Sequence, residues 1–168
     1  FEFLISDQKF TVLSDTSDFI NKTKFINSRD NTLLYEYFKL TDSLGKALDG
    51  PLVSKSRKKE IHKEIIEYKK QFIKQHPENP MSTVFLIQED VDLPDVLKQK
   101  EGEGADKEKY YYYLNHYWDK VDFQSPCLLR TPVFHGKLQR YFDKWVPQHF
   151  DSIPRYADMV VEKARGND

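Results

Sequence analysis

The side chains of this 168-residue chain that could bind a metal or activate a nucleophile are its five histidines and its single cysteine. No histidine has another histidine three or four residues away, and the chain lacks the H-E-x-x-H pattern of helical zinc sites. It also lacks the G-x-S-x-G turn that carries the nucleophile of many hydrolases. We therefore expect no metal, no cofactor, no catalytic residue and no enzymatic activity of this chain alone.

The single cysteine, Cys127, lies in the segment S-P-C-L-L-R. A thiol becomes reactive when a nearby cation or helix N-terminus lowers its pKa, and Arg130 lies close in sequence. A thiol buried beside Leu128 and Leu129 would instead be inert. Both interpretations stay open at this point, but one cysteine allows no internal disulfide.

The most unusual segment is the aromatic run Y-Y-Y-Y-L-N-H-Y-W, from Tyr110 to Trp118. Consecutive helical residues point in all directions, so some of these rings must be exposed or face another molecule. Exposed Tyr and Trp side chains are typical of interfaces and of grooves that bind peptides or sugars. The candidates for such a surface are Tyr111, Tyr112, His116 and Trp118. The alternative is a thick aromatic core whose phenol groups reach water at its rim.

Charge is balanced overall but segregated along the chain. The 26 Lys and Arg residues against 27 Asp and Glu give a net charge of -1, which argues against nucleic acid as a partner. Residues 55–74 contain eight Lys and Arg against three Glu, whereas residues 78–108 contain nine acids against three lysines. A basic helix could meet phosphates or an anionic membrane surface, although interleaved Lys and Glu are also typical of a solvated face. No apolar run approaches the ~20 residues that a transmembrane helix needs.

Hydrophobic periodicity predicts a mainly α fold, a bundle of five or six helices with a short N-terminal β-hairpin. Alternating apolar residues at Phe1, Phe3 and Ile5, and again at Phe10 and Val12, predict that hairpin within residues 1–14. A lone hairpin is marginally stable in water, so it must pack on another element or pair with a missing sheet, and we expect either an excised piece of a longer protein or a processed, partly ordered N-terminus. Its edge would then pack on the helices or pair with a second copy of the chain. Residues 15–168 are predicted to form the helical domain.

Gly, Pro and capping residues set the expected helix boundaries. The helices are expected near residues 28–48, 54–75, 82–88, 107–118, 132–145 and 151–165. The first two should form an antiparallel αα-hairpin. Thr131 and Pro132 supply a favourable helix start, from which Phe134, Leu138, Tyr141 and Trp145 should be buried. The acidic stretch at about residues 98–107 is expected to be a flexible loop.

A set of short motifs in the second half of the chain resembles a known family. The motifs are H-Y-W-D at 116–119, D-F at 122–123, L-R-T-P-V-F at 129–134, P-Q-H at 147–149 and D-S-I at 151–153. Together they resemble the helical domain of unknown function that precedes the thioredoxin domain in TlpA-like thiol:disulfide interchange proteins of Gram-negative gut commensals. The opening F-E-F-L-I-S-D-Q-K-F-T-V is similar to the junction between an upstream β-domain and that helical region, so the resemblance implies that the hairpin is the remnant of such a domain.

The resemblance implies a non-catalytic accessory domain of an exported protein, periplasmic or attached to the cell envelope. Such a domain would position or dimerise a downstream thioredoxin domain with its C-x-x-C pair, or present protein substrates to it. No redox role carries over to Cys127 from the family. The alternative function is a periplasmic helical module that binds a peptide or a glycan through its tyrosine-rich surface.

Overall fold

The computed structural model describes residues 4, 9–48, 54–126, 128 and 131–166, with Pro132 described by its backbone alone. In chain order the elements are β1 (Thr11–Leu13), α1 (Phe19–Lys22), β2 (Lys24–Ile26), α2 (Arg29–Lys46), α3 (Lys55–Gln75), α4 (Pro80–Gln88), α5 (Asp95–Lys98), α6 (Glu103–His116), α7 (Pro132–Arg140), a π-helical turn (Tyr141–Trp145) and α8 (Ser152–Ala164). The chain divides into two compact units, Phe1–Ser82 (unit 1) and Thr83–Asp168 (unit 2). The sequence predicted a single helical domain from residue 15 onward, whereas this division falls within α4.

The predicted mainly α-helical character is confirmed, but the number of helices is larger than expected. Over the described residues there are eight α-helices rather than five or six. The two that the sequence did not reveal, α1 and α5, have four residues each. A single turn is too short to show a 3.6-residue apolar period, so hydrophobic patterning cannot detect it.

A two-stranded antiparallel hairpin lies near the N-terminus, in part as predicted. Strand β1 pairs with β2 so that Val12 lies opposite Phe25. The partner strand β2 therefore lies beyond the predicted limits of residues 1–14. The expected first strand, over residues 1–6, lies outside the described residues except for Leu4, whose amide donates to the Asn31 side chain over 2.6 Å.

In unit 1, capping serines start both long helices. The Ser28 hydroxyl accepts from the Asn31 amide at the start of α2, and the Ser54 hydroxyl accepts from the Arg57 amide at the start of α3. Arg29, at the start of α2, lies beside His76, which follows α3. The two helices are therefore antiparallel, as the sequence predicted.

The core of unit 2 is a cluster of buried and mostly aromatic residues. Its buried members are Ile87, Leu114, Tyr117, Trp118, Val121, Phe123, Leu128, Phe134, Tyr141, Val146 and Val160. The Thr131 hydroxyl accepts from the Phe134 amide and so starts α7 as expected. Of the predicted apolar stripe, Phe134 and Tyr141 are buried, while Leu138 and Trp145 are only partly buried against the cluster.

The stretch at about residues 98–107, which was expected to be a flexible loop, is partly helical in the structure. Lys98 ends α5, and α6 begins at Glu103, so the second half of that stretch is helical. Gly102 has a φ of 97°, a conformation that favours glycine, and so lets the chain turn into the helix. Ala105 is buried and anchors the first turn of α6, which outweighs the polar composition of the segment.

Within the part of the chain that the structure describes, no helix has both the length and the apolar character required to cross a membrane.

Candidate functional site

One side of α6 and of the turn after it faces the core of unit 2. The Tyr113 ring stacks on the Trp145 ring with centroids 3.8 Å apart, and the Tyr110 hydroxyl donates to the Trp145 carbonyl. The Tyr117 hydroxyl donates to the carbonyl of Lys137 over 3.0 Å. These three tyrosines therefore hold the helix in place, with their hydroxyls bonded at the rim of the core.

The other side of α6 presents Tyr111, Tyr112 and His116. Tyr111 is 48% exposed. The rings of Tyr112 and His116 stack with centroids 4.1 Å apart, because residues four apart are neighbours on a helix. His116 Nδ1 lies 2.5 Å from Asp119 Oδ2, so the carboxylate fixes the orientation of the imidazole. The structure thus brings together three of the four predicted surface residues.

The fourth predicted residue, Trp118, is in the core, and its assignment to a binding surface is wrong. Its side chain is only 3% exposed, and its ring lies 5.5 Å from the ring of Phe123 and 4.9 Å from that of Tyr141. Helix α6 ends at His116 and a turn follows. Tyr117 keeps helical backbone angles (φ -57°, ψ -31°), so Trp118 lies four residues after the buried Leu114 and on the same side.

The three surface residues line an open groove of about 600 Å³. Its full lining is Leu97, Gly104, Lys107, Glu108, Tyr111, Tyr112, Asn115 and His116. Leu97 comes from α5, which packs against α6. Sequence reasoning missed Leu97 because no local pattern links a four-residue helix to the tyrosine run. We call this feature the α6 groove.

A second, narrower cleft of about 110 Å³ shares Tyr112 and His116 with the α6 groove. Its remaining lining is Glu89, Asp90, Val91, Asp92, Tyr117, Asp119 and Lys120. The carboxylates here have protein partners: Asp90 accepts from the Tyr113 hydroxyl over 2.5 Å, and Glu89 pairs with Lys120. Among the described residues no group of His, Cys, Asp and Glu is arranged to hold a metal ion. Partnered acids and stacked rings favour binding over acid–base chemistry.

Near these clefts, Lys137 has a strongly lowered pKa. Its ammonium donates to the Glu89 carbonyl over 3.0 Å and lies 4.9 Å from the centroid of the Tyr117 ring. Burial lowers the pKa of Lys137 to about 8, and the nearby Asp90 carboxylate opposes that shift. Burial also raises the pKa of Tyr117 to about 12, so its hydroxyl stays a donor at neutral pH. Both partners of Lys137 are structural, and the lysine ties α7 to the segment after α4.

The motifs that carry the family resemblance are divided between core and surface. Trp118, Phe123 and Phe134 are buried in unit 2, whereas the motifs at 147–149 and 151–153 are mostly exposed. Cys127 lies outside the described residues, and both interpretations of its thiol stay predictions.

Comparison of the chain with protein-family models, with curated proteins and with solved structures gives no significant match.

Proposed function

We propose that this chain is a non-catalytic binding domain whose α6 groove takes a segment of a peptide or a glycan. The observation that carries the proposal is the stacked Tyr112–His116 pair, which lines an open groove of about 600 Å³ beside the half-exposed Tyr111. Large rings that stay accessible in this way are typical of binding surfaces rather than of cores.

The polar residues of the groove suit an uncharged ligand with both donors and acceptors. Lys107 offers a cation, Glu108 an anion and Asn115 an amide. Such a set can bond the hydroxyls of a sugar or the backbone amides of an extended peptide. The apolar face of a sugar ring, or a planar side chain, would lie on the ring of Tyr112.

The groove is also held in position before any ligand binds. Asp119 fixes His116, and His116 in turn stacks on Tyr112. Rings that are already ordered lose little conformational freedom on binding. This pre-organisation supports a recognition role for the pair rather than a purely solvated surface.

Titration calorimetry with neutral hexasaccharides and with unstructured decapeptides tests the proposal. Tyr112→Ala should weaken binding about 3–10-fold, the equivalent of the ~0.5–1.5 kcal/mol that an aromatic contact contributes. The matched control is Phe150→Ala, since Phe150 is 79% exposed and lies outside the groove. The proposal is contradicted if neither ligand class binds, or if both variants weaken binding equally.

We further propose, from the family resemblance alone, that this domain serves as the accessory region of an exported thiol:disulfide interchange protein. It would position or dimerise a thioredoxin domain, or present substrates held in the α6 groove. Exchange through a dithiol needs a second, resolving cysteine, whereas this chain has a single cysteine. In an insulin-reduction assay, the wild type and Cys127→Ser should therefore both show background rates. A clear drop on substitution would assign redox activity to this chain.

A further inference from the structure

Lysines and glutamates occupy different faces of α3. At ~100° per residue, five lysines fall within an arc of about 100°. They are Lys55, Lys59, Lys63, Lys70 and Lys74, and all are exposed. The three glutamates, Glu60, Glu64 and Glu67, fall on the adjoining arc and border the lysines, since Glu60 and Glu67 lie three and four residues from Lys63. We call the arc of five lysines the lysine face.

The acids of α3 are already partnered on their own side of the helix. The Arg57 guanidinium lies 3.2 Å from a carboxylate oxygen of Glu60 and 3.3 Å from one of Glu64. Glu67 accepts from the Gln71 amide over 3.2 Å. Within the described ranges, no carboxylate forms an ion pair with any lysine of the lysine face. The lysine face therefore keeps an excess of positive charge, because Arg57 pairs with Glu60 and Glu64, although Lys63 lies close to these carboxylates.

The lysine face also contains an exposed apolar side chain. Ile66 is 39% exposed and lies at the centre of the row, between Lys63 and Lys70. From Lys55 to Lys74 the row is ~29 Å long, at 1.5 Å per residue. A row of ammonium groups of this length can meet the phosphates of an anionic membrane surface, while the apolar side of the helix, with Ile61 and Phe72, stays buried in unit 1.

We propose that the lysine face of α3 docks on a bilayer surface rich in anionic phospholipid headgroups. Each ammonium would approach a lipid phosphate while its apolar stem, with Ile66, covers the headgroup region. Nucleic acid fits this face less well, because the face presents neither the planar forks of arginine nor aromatic rings for bases. The five separate ammonium charges of the lysine face match the many phosphate anions that a lipid surface presents in one plane.

Co-sedimentation with vesicles tests the proposal on the whole chain. The wild type should sediment with phosphatidylglycerol-containing vesicles at low salt, should not sediment with pure phosphatidylcholine vesicles, and should be released as salt screens the charges. Replacing Lys59, Lys63 and Lys70 together with Gln should weaken this binding at least tenfold. Circular dichroism of the variant should show an unchanged helical content.

The matched control replaces Lys24, Lys144 and Lys163 with Gln, since these lysines are exposed and lie outside the lysine face. It removes the same total charge and should weaken vesicle binding less than about threefold. Ile66→Ser should weaken vesicle binding several-fold but leave any binding of soluble polyphosphate unchanged. The proposal is overturned by absent binding of the wild type to anionic vesicles, by equal loss in the two triple variants, or by binding that polyphosphate supports and vesicles do not.

Discussion

The two units of the chain differ in the hydrogen bonding of their buried polar atoms. In unit 1, the side chain of Asn31 is fully buried and fully used: its amide nitrogen donates to the Leu4 carbonyl over 2.9 Å and to the Ser28 hydroxyl, and its oxygen accepts from the Leu4 amide. The buried hydroxyls of Thr23 and Ser82 also have partners. Directional bonds of this kind specify one arrangement of the chain.

In the described part of unit 2, three buried polar atoms of aromatic rings lack such bonds, although the hydroxyl of the buried Tyr117 donates to the Lys137 carbonyl. Within the described residues, the indole nitrogens of Trp118 and Trp145 and the hydroxyl of Tyr141 have no hydrogen-bond partner. The rings are instead arranged edge to face, as those of Trp118 and Tyr141 are. The arrangement of unit 1 is therefore specified by polar pairing, whereas that of unit 2 is specified by the packing of large rings. Other rings of unit 2, on the outer side of α6, line the α6 groove.

The largest expected effect is a truncation within the ring cluster. Leu114 is 1% exposed on α6, so Leu114→Ala should lower the free energy of unfolding by ~2–5 kcal/mol through lost burial and a residual cavity. Urea unfolding followed by tyrosine and tryptophan fluorescence measures the loss. The matched change in unit 1 is Ile61→Ala, at a residue 2% exposed. A cost below ~1 kcal/mol for Leu114→Ala would show that the rings, without the aliphatic residues, carry the stability of unit 2.

The long helices could be predicted from sequence because their determinants are local. Ser54 and Gln75 bracket α3, and Thr131 starts α7, where the capping residues and apolar spacing indicated. Helical spacing also predicts that the tyrosine run places some rings toward the core and others toward solvent. Asp119, three residues after His116, was within reach of the same reasoning but was not identified.

What could not be predicted depends on contacts between distant segments or on single turns. Strand β2 has three residues, and only its pairing with β1 defines it. The partners of Lys137 lie at Glu89 and Tyr117, which no local pattern connects. Trp118 was assigned to the surface although it lies four residues after Leu114, and only the burial of both side chains shows that they share the core side.

The second prediction removes the polar network of unit 1. Asn31→Ala deletes the bonds to Leu4 and Ser28 and leaves partly buried backbone groups of Leu4 without these partners, so it should cost ~1–3 kcal/mol. Faster hydrogen exchange at the Leu4 amide should accompany the loss. The control is Asn21→Ala, whose side chain is exposed and bonds Asp18, and which should cost less than about 0.5 kcal/mol. Equal costs for the two variants would contradict the view that polar pairing specifies unit 1.

The third prediction concerns the pH dependence of stability that arises from Lys137, a cation that packs against the rings of unit 2. Folding lowers the pKa of Lys137 from 10.5 to about 8, so between these values the unfolded chain binds more protons and stability must rise with pH. The wild type should therefore gain stability relative to Lys137→Met between pH 7 and about 9.5, and the tyrosines, which begin to titrate at about pH 9, are the same in both proteins. Because Lys137 is partly exposed, the gain should stay below ~1 kcal/mol. Urea unfolding of both proteins at the two pH values measures it, and a constant difference would contradict the assigned burial.

The smallest effect is expected from Tyr141→Phe, the counterpart of Asn31→Ala. The Tyr141 side chain is fully buried, and burial raises the pKa of its hydroxyl to about 12. This hydroxyl makes no hydrogen bond of regular geometry among the described residues, and the Trp118 indole N–H is the polar group that acts on it, so Tyr141→Phe loses at most that weak contact and keeps the ring in place. The free energy of unfolding should therefore change by less than about 0.5 kcal/mol, with stabilisation the favoured sign because a desolvation cost disappears. A loss above ~1 kcal/mol in urea unfolding would mean that the hydroxyl is bonded in the folded protein, and the contrast between the two units would then fail at its central residue.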